Sequence, residues 1–288
     1  MQHLSQSPTD PGFVQNPYPF YDHARAQGAF FVWEDYGMVC ATSFSVVDAA
    51  LRSRKLGREI PAELRTEPPE HIRPFMEFES RSLLELEPPA HTRLRAPITR
   101  AFTSRRIAGL APDIAALAHQ LIDRFPDQPF DLLPAFAEKI PVIIIARLLG
   151  VPEDMADQFL AWSHDMVAMY QANRSAATEA AAVVATLAFS DYMRAHIAHR
   201  RTHPGDDLIT TLLAAEQDGT GLTGDEVITT AILLLNAGHE ATVHVIGNGV
   251  RALLHSGLPV APLMAADRVA ATVEETLRFD PPLHMFTR

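Results

Sequence analysis

Apolar residues recur at helical spacing over most of this chain, and the longest such run covers 222–257. In its first half Val227, Ile228, Ala231, Ile232, Leu234 and Leu235 leave almost no polar face, the pattern of a helix buried on most sides. Thr223 followed three residues later by Glu226 reads as a capping box, and no proline interrupts the run before Pro259. These signals predict one helix over 223–256, about 50 Å long at 1.5 Å per residue. Asn236, His239, Glu240 and Thr242 then arrive in the middle of the rod. Polar groups buried mid-helix need hydrogen-bond partners or a ligand to serve. Gly238 beside them costs about 1 kcal/mol relative to alanine and signals a close approach by another group.

The rest of the pattern is mainly helical with one small β region. Residues 1–18 are rich in proline and polar groups and read as extended, with a first helix starting near Pro17 and stopping before Gly28. Residues 30–33 and 38–42, separated by Glu-Asp-Tyr-Gly, predict a β-hairpin, with Cys40 as a small buried hydrophobe in its second strand. A short helix over 46–51 leads into a proline- and charge-rich connector that reaches Pro89 and is partly helical over 75–86. A connector of this length is expected to line or cover a ligand pocket, together with the helices flanking Arg174. Further helices are expected over 107–125, 133–149, 153–172 and 175–201, the last two as an antiparallel pair. The basic end of the last one (Arg194, His196, His199, Arg200, Arg201) reads as an exposed terminus that suits the helix dipole. A short helix follows His203-Pro204-Gly205, Gly219-Thr220-Gly221 breaks before the long helix, and a final helix occupies 265–279. The whole, 1–288, reads as one domain built around the long helix.

Composition narrows function more than fold. The 288 residues are 47% hydrophobic and 20% charged, an ordinary globular balance with enough apolar material for a substantial core. A net charge of -11 argues against general nucleic-acid affinity, which clustered Lys and Arg drive. The lone cysteine, Cys40, excludes an intrachain disulfide and fits a reducing compartment. The first residues carry no signal-peptide pattern and no apolar run approaches about 18 residues, so a soluble cytoplasmic protein with no membrane span is expected.

Three stretches carry candidate chemistry. Ala237-Gly238-His239-Glu240-Ala241-Thr242 resembles the dioxygen-binding helix of cytochromes P450, whose pattern is Ala/Gly-Gly-x-Asp/Glu-Thr-Thr/Ser. In Pro88-Pro89-Ala90-His91-Thr92-Arg93-Leu94-Arg95, followed by Phe102, His91 and Arg95 are four apart, share one helix face and can converge on one anion. That stretch resembles the family's Pro-Pro-x-His-x-x-x-Arg segment. Glu275-Thr276-Leu277-Arg278, then Phe279-Asp280-Pro281-Pro282 and Arg288, resembles the family's Glu-x-x-Arg segment and the propionate-binding arginine after it. Helix order and the hairpin agree with a cytochrome P450 of the soluble bacterial type, and the resemblance covers the chain but only the N-terminal part of the family's length.

The resemblance implies a monooxygenase that takes dioxygen, a small organic substrate, and electrons from a ferredoxin-type donor and its NAD(P)H reductase. It implies haem b against Ala237 and Gly238, with His91, Arg95 and Arg288 on its propionates and Glu275–Arg278 as a structural ion pair. Glu240 stands at the proton-delivery position. Ala241 occupies the adjoining site that is usually threonine, and Thr242, one residue on, is turned about 100° away. The family's axial cysteine lies in a later loop, Phe-x-x-Gly-x-x-x-Cys-x-Gly, with no counterpart up to Arg288; Cys40 is in the wrong element. No metal ligand is therefore expected here. His239 and His244 are five apart, about 140° around the axis, and do not form a zincin pair. The favoured reading is the N-terminal part of a monooxygenase; the alternative is a truncated, inactive relic without thiolate-ligated haem. Neither nucleic-acid nor membrane partners are expected.

Overall fold

The computed structural model describes residues 1–171, 174–217 and 222–287. Both Gly219-Thr220-Gly221 and Arg288 lie outside the described residues. The elements in order are β1 (Gln2–Leu4), α1 (Pro11–Gln15), α2 (Tyr18–Gln27), β2 (Phe30–Trp33), β3 (Met38–Ala41), α3 (Phe44–Arg52), α4 (Arg73–Glu79), α5 (Ala90–Ala101), α6 (Ser104–Gly109) and α7 (Ala111–Ile122). They continue with α8 (Lys139–Leu149), α9 (Ala156–Val167), α10 (Ala176–Thr202), α11 (Leu208–Gln217), α12 (Gly224–His255), α13 (Val260–Leu263) and α14 (Val269–Phe279). The fold is thus mainly α with one three-stranded sheet of order β1-β2-β3. Among the described residues no helix is long and apolar enough to cross a membrane.

The contacts divide the chain into two compact units, essentially Met1–Arg58 and Glu59–Phe286. In the first, the hairpin pairs Phe31 with Cys40 and Trp33 with Met38. Its four-residue turn closes on Gly37, whose φ of 62° falls in the left-handed region that glycine tolerates. The N-terminal residues are not simply extended: Gln2–Leu4 add a parallel strand against Phe31–Trp33. Phe31 and Trp33 point into a cluster with Ala24, Phe13 and Phe20, and Trp33 Nε1 donates to Gln6 O at 2.8 Å. Cys40 is half-buried in β3, and burial raises its thiol pKa, as suits a packing residue.

The second unit is organised around α12. Val227, Ala231, Ile232 and Leu235 are fully buried, and the helix packs against α8, α9, α10, α11 and α14. The predicted capping box is present: Glu226 N donates to Thr223 Oγ1 at 3.3 Å and Thr223 N to Glu226 Oε2 at 2.8 Å. The same Glu226 receives both guanidinium nitrogens of Arg93 on α5, one of them at 3.0 Å, so the helix start also ties in the helix bearing His91 and Arg95. The Arg93 hydrogen bond holds the Glu226 carboxyl below the ordinary carboxylate range. A group depressed in the folded state contributes stability above its unfolded pKa and loses it as pH falls through the folded value. Glu226→Gln keeps the cap and removes the charge. It is expected to cost up to about 1 kcal/mol at neutral pH, and the difference should vanish in acid. Urea unfolding midpoints of the two proteins at neutral and acid pH check this; a difference that persists in acid would assign the loss to the cap.

Several boundaries depart from the sequence reading for local reasons. The helix expected over 107–125 is broken at Gly109–Leu110, because Pro112 starts a new helix in its first turn, where its missing N–H is harmless. The helix expected over 133–149 is a wide π turn, Leu133–Ala137, followed by α8. The helical part of the connector is Arg73–Glu79, which starts before the expected 75–86 and covers only its first residues, and it is docked rather than free. Phe75 and Phe78 are buried in the main core, Tyr170 donates to Glu79 at 2.9 Å, and His71 Nε2 lies 2.6 Å from Glu179 Oε2. The basic end of α10 is only partly solvated. Arg200 turns inward, its Nε 2.8 Å from Asp207 Oδ2 and its Nη2 donating to Gly150 O at 2.7 Å, and burial lowers the pKa of His196.

Candidate functional site at the middle of the long helix

Halfway along α12 the burial pattern changes. After fully buried Leu235, Ala237 is exposed and Ala241 half-exposed, so one flank presents nothing larger than a methyl group at these two positions. Gly238 is close-packed, but by the protein itself. A Cβ added there would meet Ile145 Cδ1 of α8 at 2.5 Å, so the glycine lets α8 lie against α12. Thr242 Oγ1 donates to Gly238 O at 2.9 Å within the helix, which occupies its hydroxyl proton and leaves it turned away from the position of Ala241. Asn236 Nδ2 lies 3.9 Å from Met166 Sδ of α9, while its Oδ1 is buried with no hydrogen-bond partner.

Glu240 is the centre of a group of imidazoles. Its Oε1 lies 3.5 Å from His239 Nε2 and 3.5 Å from His164 Nε2 of α9, and its Oε2 lies 3.5 Å from His244 Nε2. The neighbouring imidazoles, His239 first and then His244, hold the Glu240 carboxyl far below the ordinary carboxylate range against the opposing effect of burial. Glu240 in turn raises the pKa of His244. The carboxylate is 27% exposed and His164 51%, so solvent reaches the acid past α9. Sequence reasoning found Glu240 but missed His164 and Ser163, which approach from 76 residues away along the chain. No periodicity within α12 signals them.

The other candidate residues divide. Arg93 and Arg95 are two apart, about 200° around α5, so the pair with Glu226 leaves His91 and Arg95 on the other side. Among the described residues, no hydrogen bond or ion pair engages the side chain of His91 or Arg95. A histidine and an arginine sharing a helix face with no described side-chain partner, and a methyl-lined flank on α12, fit an anionic, flat, apolar group such as haem. Glu275 and Arg278 pair as expected, at 2.7 Å for both nitrogens, on the exposed surface of α14, and Arg278 lowers the Glu275 pKa. A cavity of about 380 Å³ flanks the next turns of α12, lined by His244, Gly247, Asn248, Arg251 and Leu133. Another of about 540 Å³ lies between α12, α13 and α14, against Leu253, Leu263 and Phe279. Neither is lined by the 55–90 connector.

The chain belongs to the cytochrome P450 family. It is 35% identical over 280 residues to putative cytochrome P450 133B1 of Xylella fastidiosa, covering 94% of this chain and 69% of that protein. It is 36% identical over 281 residues to vitamin D(3) 25-hydroxylase of Pseudonocardia autotrophica, covering 94% of this chain and 66% of that one. Among solved structures, P450BioI in complex with an acyl carrier protein bearing hexadec-9Z-enoic acid superposes with a TM-score of 0.86 at 28% identity, over 94% of this chain and 70% of that one. No family model matches the chain. The chain therefore spans about two thirds of the length of these relatives.

Proposed function

We propose that the protein is a haem-thiolate monooxygenase that hydroxylates a small organic substrate with dioxygen and electrons from a ferredoxin-type donor fed by NAD(P)H. The observation that carries this reading is Glu240, an acid held ionised at mid-helix, reachable from solvent and adjacent to the open Ala237–Ala241 flank. Haem b, when bound, supplies the redox chemistry that activates dioxygen. His91 and Arg95, joined by Arg288, would hold its propionates by charge-assisted hydrogen bonds. Ala237 and Ala241 keep this flank of the helix thin enough for close approach, while Gly238 is taken up by Ile145 of α8. Glu240 passes protons inward from the side where His164 and His244 meet solvent, while Thr242 stays bonded to its own helix. A hydroxylase among the relatives and an acyl-carrying protein bound to another agree with an organic substrate of moderate size.

The test is the ferrous carbon monoxide difference spectrum of the protein expressed from its complete coding sequence. A red-shifted Soret band of a thiolate-ligated haem is the expected result. Protein that folds with ample haem supply yet retains none would overturn the reading.

A further inference from the structure

We infer that His164, His239 and Glu240 form a binding site for a divalent transition-metal ion, best matched by zinc. One ligand atom from each of the three lies within 4.8 Å of the others, and two of the separations are 3.5 Å. Tetrahedral zinc with bonds of about 2.0–2.1 Å sets its ligand atoms roughly 3.3–3.4 Å apart. Two edges of the triangle are thus already near their final length, and the third closes by a small movement of exposed His164. Two imidazoles and a carboxylate are a donor set that zinc accepts readily.

The second, independent observation is the state of His239. Its side chain is fully buried, and its Nε2 faces Glu240 without a properly directed hydrogen bond. On the other side of the ring, Nδ1 lies 3.2 Å from Leu235 O and 3.4 Å from Ser163 Oγ. If Nδ1–H donates to the Leu235 carbonyl, the lone pair of Nε2 points at a carboxylate oxygen, two acceptors face to face. A cation between them resolves that conflict. A ring nitrogen hydrogen-bonded to a backbone carbonyl, with the opposite nitrogen free, is also the arrangement that supports a metal-bound histidine. His244 meets the other oxygen of Glu240 and stays outside the triangle, where it can orient the carboxylate. The helix geometry that separates His239 from His244 is therefore irrelevant to this site, because the second imidazole comes from α9. With His164 about half exposed, a fourth position stays open to water.

The site lies wholly between α9 and α12 and does not require haem. Occupied, it would commit Glu240 as a ligand and take it out of proton delivery, so zinc would act as an inhibitor of the proposed reaction. The test uses chelator-dialysed, tag-free protein titrated with zinc against a chromophoric chelator. One tight equivalent is expected, and His164→Ala and Glu240→Gln should each weaken it at least about tenfold, the effect even of supporting residues at metal sites. His255→Ala, on the same helix but outside the triangle, should leave it unchanged. Because His239 is buried and its loss endangers the fold, its part is read from zinc X-ray absorption of the loaded protein. Two imidazoles are expected in the parent and one in His164→Ala. Zinc affinity or imidazole count indifferent to His164→Ala would overturn the assignment, as would the absence of a saturable equivalent. A haem-free preparation that still binds zinc this way would leave the metal site standing whatever becomes of the monooxygenase reading.

Discussion

Replacing both His91 and Arg95 by alanine is expected to leave a folded protein that no longer holds haem. Each charge-assisted hydrogen bond to a carboxylate contributes about 1.5–3 kcal/mol, and losing two corresponds to roughly a hundredfold to ten-thousandfold loss of affinity. The fold should tolerate the change, because neither side chain is engaged by another described residue and the packing face of α5 is made by Leu94, Pro97, Ile98 and Ala101. Arg93→Ala supplies the contrast on the same helix. It breaks the bond to Glu226 at the start of α12 and should lower stability while leaving haem affinity near its parent value. Haem-to-protein ratio after gel filtration and the rate of haem transfer to an apoglobin acceptor give the readouts. Full haem retention in the folded double variant would remove these two residues from the propionate assignment.

The contrast between Arg93 and its neighbours shows how the site was partly legible in the chain. A histidine at i and an arginine at i+4 already imply a common face, and the capping box Thr223–Glu226 already implies where α12 begins. That Glu226 serves both the cap and Arg93 depends on a contact between residues 133 apart, for which local pattern holds no signal. The same limit explains β1: three residues gain strand character only by pairing with Phe31–Trp33. Proline chemistry at Pro112, by contrast, was present in the sequence and outweighs the apolar periodicity that suggested one helix over 107–125. At the site, Gly238 correctly signalled a close approach, yet the approaching group is Ile145. His239 reads as one polar residue in a helix until α9 brings Ser163 and His164 against it. Side chains that converge from separate helices define the acid's environment, and these are what periodicity cannot supply.

The acid itself gives the second large effect. Glu240→Gln preserves shape and most hydrogen-bonding capacity but cannot accept and pass a proton at this position. Loss of a general acid–base group costs typically about 10²–10⁴-fold in rate, so product formation should fall by at least about a hundredfold. NAD(P)H oxidation should continue, with a larger share of its electrons appearing as hydrogen peroxide and a larger solvent isotope effect on what product remains. The assay belongs in chelator, so that metal captured by His164, His239 and Glu240 does not mimic the loss. Ala241→Thr tests the adjoining position in the opposite direction. The hydroxyl of Thr242 is already spent on Gly238 O, so a hydroxyl at position 241 would be the first one free beside the acid, and peroxide released per NAD(P)H should fall. Geometry then separates the two roles. If Glu240→Gln turned over like the parent, proton delivery would have to run through another group. If Ala241→Thr left leakage unchanged or raised it while Glu240→Gln behaved as expected, the imidazoles around Glu240 would suffice to hand protons inward without an alcohol.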